Sequence, residues 1–330
     1  MHILVTGAAG MIGRKLVAQL VKHQALGGRS IDRFTLVDVV TPLRPDGFAG
    51  KVETVATDLA AEGSAAAAVA ARPEVIFHLA AVVSGEAEHD FEKGMRANFD
   101  GSHLLFEAIR AIDNYRPRVV FTSSIAVFGA PFPDTIPDDF ALTPLTSYGT
   151  QKAMTELMLA DYTRRGFLDG VGIRLPNIAV RPGPPNQAAS GFFSSIIREP
   201  LAGAEAVLPV DDSVLQWHAS PRSAVGFLIR AAGLKADALG PRINLNMPGV
   251  CCTVGEQIAA LRRIAGDEVV ARIRRAPDPL IARIVAGWPR RFDPHRAIAV
   301  GFTAERSFDE IIRVYIEDEL GGGIAQPRSS

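Results

Sequence analysis

The sequence has two cysteines in 330 residues, and they are neighbours, Cys251 and Cys252. Adjacent cysteines make neither a disulfide framework nor a zinc site. No His or Asp pattern beside them suggests a nucleophile, so both are read as structural. Charge of one sign is missing too: 35 Lys and Arg against 36 Asp and Glu leave a net charge of −1. That excludes the electrostatic footprint of a nucleic-acid binder or of a protein held on an anionic membrane. The basic runs are mere pairs, Arg262-Arg263, Arg274-Arg275 and Arg290-Arg291, which read as solvated helix faces. No apolar stretch approaches the length of a membrane span. Nor is there an internal repeat, a metal-ligand cluster or a signal-peptide pattern, so a reducing cytoplasm is the expected home.

What is present begins at once. Ile3-Leu4-Val5 is an apolar, β-branched run that reads as a buried strand, and it ends in Gly7-Ala8-Ala9-Gly10-Met11-Ile12-Gly13. Ile12, Leu16 and Leu20, with Val17 and Val21, then repeat at helical spacing. The order is strand, glycine loop, helix. Gly7 allows a sharp turn, Gly10 lets a pyrophosphate lie on bare backbone, and Gly13 lets the helix pack close to the strand. The helix N-terminus adds unpaired N–H groups and a positive dipole end. Phe34 to Val37 reads as the second strand and ends in Asp38, an acid placed to bind both ribose hydroxyls of adenosine and to repel a 2′-phosphate. That favours NAD over NADP.

Further strands are expected at Val52–Ala56, Val75–Ala81, Val119–Thr122 and Val171–Leu175, with helices at Ala60–Ala71, Phe91–Ile112 and from Ser147. Strands alternating with helices at this spacing imply a doubly wound parallel α/β sheet of Rossmann type. His78 lies inside a continuous apolar run and reads as a satisfied buried histidine. After Asn177 the pattern changes. A loop rich in proline, Arg181-Pro182-Gly183-Pro184-Pro185-Asn186, leads to helices at about Phe192–Leu201, Arg222–Gly233, Val254–Ala265 and Phe308–Asp318. The expected division is a dinucleotide-binding domain over 1–177 and a smaller substrate-binding lid over 178–330. The two interleave, because a segment near 222–248, including Ile243–Asn246, is expected to return to the main sheet. The Gly-, Pro- and Ser-rich tail from Gly321 is expected to fray.

The chemical signal is Tyr148-Gly149-Thr150-Gln151-Lys152, a phenol and an amine four residues apart on one helix face. Lysine is scarce, six in the chain, and the other tyrosines (Tyr115, Tyr162 and Tyr315) lack one at that offset. A phenol is a poor base at neutral pH, and a neighbouring ammonium favours the phenolate. Ser124 follows the fifth strand, at the sheet edge where ligands bind in open α/β folds. A hydroxyl there can hold a substrate hydroxyl in line with the phenolate. Ser123 is an adjacent candidate, and the sequence does not decide which of the two faces the substrate.

Gly7-x-x-Gly10-x-x-Gly13, Asp38, Asp58-Leu59, His78-Leu79-Ala80-Ala81, Asn98-x-x-Gly101, Ser123-Ser124, Tyr148-x-x-x-Lys152, and Arg174 with Asn177 together resemble the extended short-chain dehydrogenase/reductase family, the nucleotide-sugar epimerase/dehydratase family. The resemblance implies that NAD lies against Gly7, Gly10, Met11, Ile12, Gly13, Asp38, Asp58, Leu59, Leu79, Ala80, Ala81 and Asn98. It implies that Tyr148 is the base, that Lys152 holds the nicotinamide ribose and tunes Tyr148, and that Ser84, Ser124 and Asn177 face the substrate. It also implies a homodimer through the helices at Phe91–Ile112 and Ser147–Arg165.

The departures from that family are informative. Ile125-Ala126 stands where dehydratases carry Asp-Glu, so dehydration is not expected. Phe128 replaces the usual Tyr before Gly129. Asp211 to His218 offers two acids and no Arg where nucleotide-sugar enzymes often present an Arg to the diphosphate, and like charges repel. Arg181, in its stiff loop, instead suits a small carboxylate held bidentately, although a loop-to-loop salt bridge would explain it as well. The fuller pattern around Arg181 resembles a branch of the family that oxidises the C2 hydroxyl of a four-carbon sugar acid. The leading expectation is therefore NAD-dependent oxidation of a small sugar acid, with Arg181 on its carboxylate. The competing expectations are a nucleotide-sugar 4-epimerase with tightly held NAD and a non-catalytic NAD-sensing protein.

Overall fold

The computed structural model describes residues 1–183, 189–235 and 237–323. Pro184, Pro185 and Asn186 of the proline-rich loop and the end of the tail lie outside the described residues. Seven strands form the main sheet: β1 (His2–Thr6), β2 (Arg33–Asp38), β3 (Lys51–Ala56), β4 (Val75–His78), β5 (Arg118–Ser124), β6 (Asp169–Leu175) and β7 (Asn244–Asn246). All pair in parallel, in the spatial order β3-β2-β1-β4-β5-β6-β7. The order reverses beside β1, and that switch point puts the C-terminal ends of β1, β4, β5 and β6 around one crevice.

Both faces of the sheet are covered, which is why its central strands read as unbroken apolar runs. Successive side chains alternate between the faces. Ile3, Val5, Phe77 and Val120 pack under α1 (Met11–His23) with Phe227 and Leu228 of the helix Pro221–Ala232. Leu4, Ile76, Val119 and Phe121 pack under α2 (Gly101–Arg110) and α3 (Ser147–Arg164), against Leu105, Phe106, Ile109 and Leu159. A third cluster fills the C-terminal half, built on Phe193, Ile197, Leu261, Phe308 and Ile312. There the chain adds α4 (Phe192–Leu201), a three-stranded sheet of Asn177–Ile178, Leu215–Ala219 and Val250–Thr253, and a strand pair Ala206–Leu208 with Ile273–Arg275.

Several boundaries differ from the sequence expectation. The alanine-rich helix is only Ser64–Val69, because Gly63 turns the chain at φ +75° just before it. β4 stops at His78 rather than Ala81, where the chain meets the glycine loop at close quarters. The long helix expected over Phe91–Ile112 is interrupted by a π turn at Met95–Asp100 and ends at Arg110.

His78 is fully enclosed. Its Nδ1 lies 2.7 Å from Thr6 Oγ1 and its Nε2 2.8 Å from Ser102 Oγ. Ser102 donates to the Asn98 carbonyl, so Ser102 Oγ accepts from His78 Nε2–H and His78 Nδ1 accepts from Thr6. Burial, with the nearby Lys152 charge, pushes its pKa down to about 3; burial does the same to His218 in the C-terminal half, also at about 3. Above pH 6.5 neither folded nor unfolded chain protonates these rings. Below it the unfolded chain takes up protons that the folded chain refuses. Stability should therefore fall as pH drops from 6.5 towards 3, by about 1.4 kcal/mol per pH unit for each ring. Denaturant titrations across that range should show His78→Gln losing about one ring's share of the slope.

Candidate active site

The crevice at the switch point holds a cavity of about 520 Å³. Gly7, Gly10, Met11, Ile12, Gly13, Leu79, Ala81, Ser84, Ser124, Tyr148, Lys152, Asn177 and Arg181 all line it. Residues from both halves of the chain thus converge on one space.

The glycine loop closes one wall. A Cβ on Gly7 (φ +74°) would lie 2.7 Å from the Ala80 nitrogen, and one on Gly13 would lie 2.2 Å from the Gly7 carbonyl oxygen. Those two glycines are required by close backbone contact. Gly10 differs: a Cβ there meets only the Gly7 oxygen, at 3.3 Å, within 4 Å. The space a side chain would fill at Gly10 is open on the cavity side. Gly10 also caps α1 without a side-chain hydrogen bond, and the first turn of α1 carries no acid. A bare helix N-terminus beside an open glycine fits a diphosphate. Asp38 braces the loop from β2, its carboxylate accepting from Ala9 N at 2.9 Å and Val39 N at 2.7 Å. A carboxylate has further lone pairs, so ribose hydroxyls can still be accommodated.

Five residues expected against NAD do not line this cavity, Asp38 at the end of β2 being the first. Asp58 pairs with Arg96 (2.6 Å) and caps Ala60 N (2.8 Å). Leu59 packs into the core under α2, where burying an apolar side chain is favourable. Ala80 packs beside that core, its N–H directed at Thr6 Oγ1. Asn98 is enclosed at the π turn: its Oδ1 accepts from Val82 N at 2.9 Å and its Nδ2 donates to Gln151 Oε1 at 2.7 Å. A buried amide is held by such partners, and here they tie the cavity-lining segment after β4 to the helix α3.

Thr146 starts α3, its hydroxyl accepting from Gly149 N at 3.1 Å. Tyr148 and Lys152 follow one turn apart. The Lys152 ammonium donates to the Thr122 carbonyl at 2.9 Å, and it lies 4.8 Å from the Phe121 ring centre and 5.8 Å from that of Tyr148. The two serines are now distinguished. Ser123 is buried and donates to Glu156 at 2.5 Å. Ser124 caps the turn Ile125–Val127, accepting from Ala126 N at 3.1 Å, with its hydroxyl beside the Tyr148 phenol.

The expected tuning of Tyr148 is corrected here. Burial pushes the phenol up to about 12, with only the Ser124 hydroxyl acting in the opposite sense. Burial lowers Lys152 to about 7 against the opposing pull of Glu156. Desolvation leads for both groups, because charged forms are disfavoured in a dry site.

The far wall comes from the C-terminal half. Arg181 Nη2 donates to Ser190 Oγ at 3.0 Å, and its own N–H bonds Ser194 Oγ at 3.1 Å. No carboxylate among the described residues lies within ion-pairing distance of Arg181, so the salt-bridge explanation fails. Arg198 also lines the cavity; it donates to the Arg181 carbonyl at 2.7 Å and pairs with Glu199 at 2.6 Å. Burial and then the Arg198 charge both work against the charge on Arg181. Asn177 presents a buried Nδ2 that finds no partner among the described residues. Of the segment Asp211 to His218, Gln216 reaches the cavity, while Asp212 pairs with Arg275 on the surface. Sequence reasoning missed Arg198, Ser190, Ser194 and Trp288. The first three carried a signal: polar residues four apart, running from the turn Ala189–Gly191 into α4.

Comparison with known proteins agrees with this architecture. The family model described as "NAD dependent epimerase/dehydratase family" matches residues 3–217. The chain belongs to that family. D-erythronate dehydrogenase of Cupriavidus necator is 46% identical over 322 residues, covering 96% of this chain and 98% of that protein. D-erythronate dehydrogenase of Haemophilus influenzae is 38% identical, covering 97% and 100%. At that similarity over the full length, these relatives indicate an NAD-dependent dehydrogenase. A crystal structure described as a nucleoside-diphosphate-sugar epimerase from Agrobacterium tumefaciens superposes with a TM-score of 0.97 at 62% identity, covering 98% of this chain and 96% of the other.

Proposed function

We propose that this protein oxidises the C2 hydroxyl of a small sugar acid, D-erythronate or a near analogue, to the 2-keto acid with NAD. The observation that carries the proposal is the convergence on one cavity of the glycine loop, the Tyr148 phenol and Arg181, which has no counter-ion among the described residues. Gly7, Gly10, Met11, Ile12 and Gly13 would hold the diphosphate, Asp38 the adenosine ribose, and Leu79, Ala81 and Lys152 the nicotinamide end. NAD, when bound, supplies the hydride acceptor and a positive ring that favours the phenolate. Ser124 holds the C2 hydroxyl, Tyr148 takes its proton, and Arg181 grips the carboxylate, with Ser84 and Asn177 against the remaining hydroxyls. The residues 1–177 act as the NAD-binding unit and 178–330 mainly as the substrate lid, in a cytoplasmic homodimer. No helix among the described residues is long and apolar enough to cross a membrane.

A nucleotide-sugar epimerase is the second reading, favoured by the description of the A. tumefaciens structure. Against it, the segment Asp211 to His218 offers the cavity no arginine. NAD reduction measured with D-erythronate, L-threonate and other short aldonates, beside UDP-sugars, separates the two. Turnover of a four-carbon aldonate is expected. Silence with every aldonate, with UDP-sugar conversion, would sink the dehydrogenase proposal.

A further inference from the structure

Glu156 lies one turn beyond Lys152, so Tyr148, Lys152 and Glu156 follow each other at four-residue steps along α3. Glu156 does not reach the cavity and is fully buried. Its Oε1 accepts from Ser123 Oγ at 2.5 Å and from Arg174 Nε at 2.9 Å, and its Oε2 accepts from Arg174 Nη2 at 2.8 Å. Arg174 is held in turn by the Asp138 carbonyl at 2.9 Å and Asn246 Oδ1 at 3.2 Å, with its guanidinium 4.8 Å from the Phe128 ring centre. Strands β5 and β6 and the helix α3 thus meet at one carboxylate, and β7 steadies the arginine.

The end of β5 is fastened to α3 at two successive residues. Lys152 holds the Thr122 carbonyl and Glu156 holds the Ser123 hydroxyl. The next residue is Ser124, whose hydroxyl faces the Tyr148 phenol. Side chains of adjacent strand residues point to opposite sides. Anchoring Ser123 therefore fixes the direction in which Ser124 is presented. The forked, charge-assisted pair with Arg174 holds Glu156 itself in one orientation.

We propose that Ser123 and Glu156 are a positioning pair, held by Arg174, that aims the Ser124 hydroxyl at Tyr148 for the chemical step. The inference rests on the reading of Tyr148 as base and Ser124 as holder of the substrate hydroxyl. Glu156 does not line the cavity, and Ser123 borders it with its hydroxyl turned to Glu156, so the proposed effect passes through Ser124.

The test is a double-mutant cycle on the full chain, read with NAD and whichever four-carbon aldonate the wild type oxidises. Ser123→Ala removes the anchor while leaving the Glu156–Arg174 pair. It should lower kcat about tenfold and leave KM for NAD within twofold, because the glycine loop is untouched. In a Ser124→Ala background the same change should cost almost nothing, since residues acting as one unit are not additive. Glu156→Gln, which keeps an acceptor for Ser123, should retain more kcat than Glu156→Ala. Unchanged kcat in a folded Ser123→Ala protein, or an equal loss in both backgrounds, overturns the proposal. Full activity in Ser124→Ala alone overturns the underlying reading of Ser124, and the positioning role with it.

Discussion

Tyr148→Phe should lower kcat about a thousandfold and leave the affinity for NAD nearly intact. Positioned proton transfer contributes roughly a hundred- to ten-thousandfold to a rate, and the phenylalanine removes one oxygen from a ring otherwise kept in place. Steady-state kinetics with an aldonate and equilibrium titration with NAD check the two halves of the expectation. The pH profile gives the sign. Burial holds the phenol at about 12, so the basic form is gained as pH rises and lost as it falls. A positive nicotinamide ring beside Tyr148 would favour the phenolate and so lower that ionisation towards the working range. Oxidation by the wild type should therefore climb with pH from neutral into the alkaline range, and the residual rate of Tyr148→Phe should lack that climb. Retained turnover in a folded Tyr148→Phe protein would remove the proposed base.

The pairing of Tyr148 with Lys152 was legible because a four-residue spacing is a local property of a helix. The sign of the pKa shifts was not, because it depends on how much water the fold excludes, and no local pattern records that. The main sheet was readable for a similar reason. Its strands are apolar runs covered on both faces, and its glycine loop sits between a strand and a helix. The caps Thr146, Ser220, Thr253 and Ser307 each accept from a backbone N–H at the start of their helices, and that chemistry marks helix starts near the expected positions. The small sheets of the C-terminal half escaped notice. Ala206–Leu208 pairs with Ile273–Arg275 across a long stretch of chain, and three-residue strands are too short to show a period. The π turn at Met95–Asp100 was hidden as well, since it shows only in the register of backbone bonds. The family resemblance implies Asn98 against the cofactor, and the structure shows its side chain tying Val82 to Gln151.

Arg181→Met should lower kcat/KM for a sugar acid about a hundredfold, with kcat/KM for a matched polyol lacking the carboxylate changed little. Losing one partner of a hydrogen-bonded charge pair costs at least about 2 kcal/mol, and a hundredfold corresponds to about 2.7 kcal/mol. Methionine keeps much of the stem's volume and removes the fork. Because the Arg181 backbone is held by Ser194 and Arg198, the loop should keep its course when the guanidinium goes. The electrostatics decide the expected size. Arg181 and Arg198 stand together with Glu199 as the one acid paired to either of them among the described residues. A surplus positive charge stays on this wall until an anion arrives, and a carboxylate relieves the repulsion between the two guanidiniums. A polyol brings no charge and gains nothing from that relief. Arg181→Lys should recover only part of the loss, because an ammonium keeps the charge without the two-pronged geometry. Equal losses for acid and polyol in Arg181→Met would show that Arg181 shapes the loop and does not read the carboxylate.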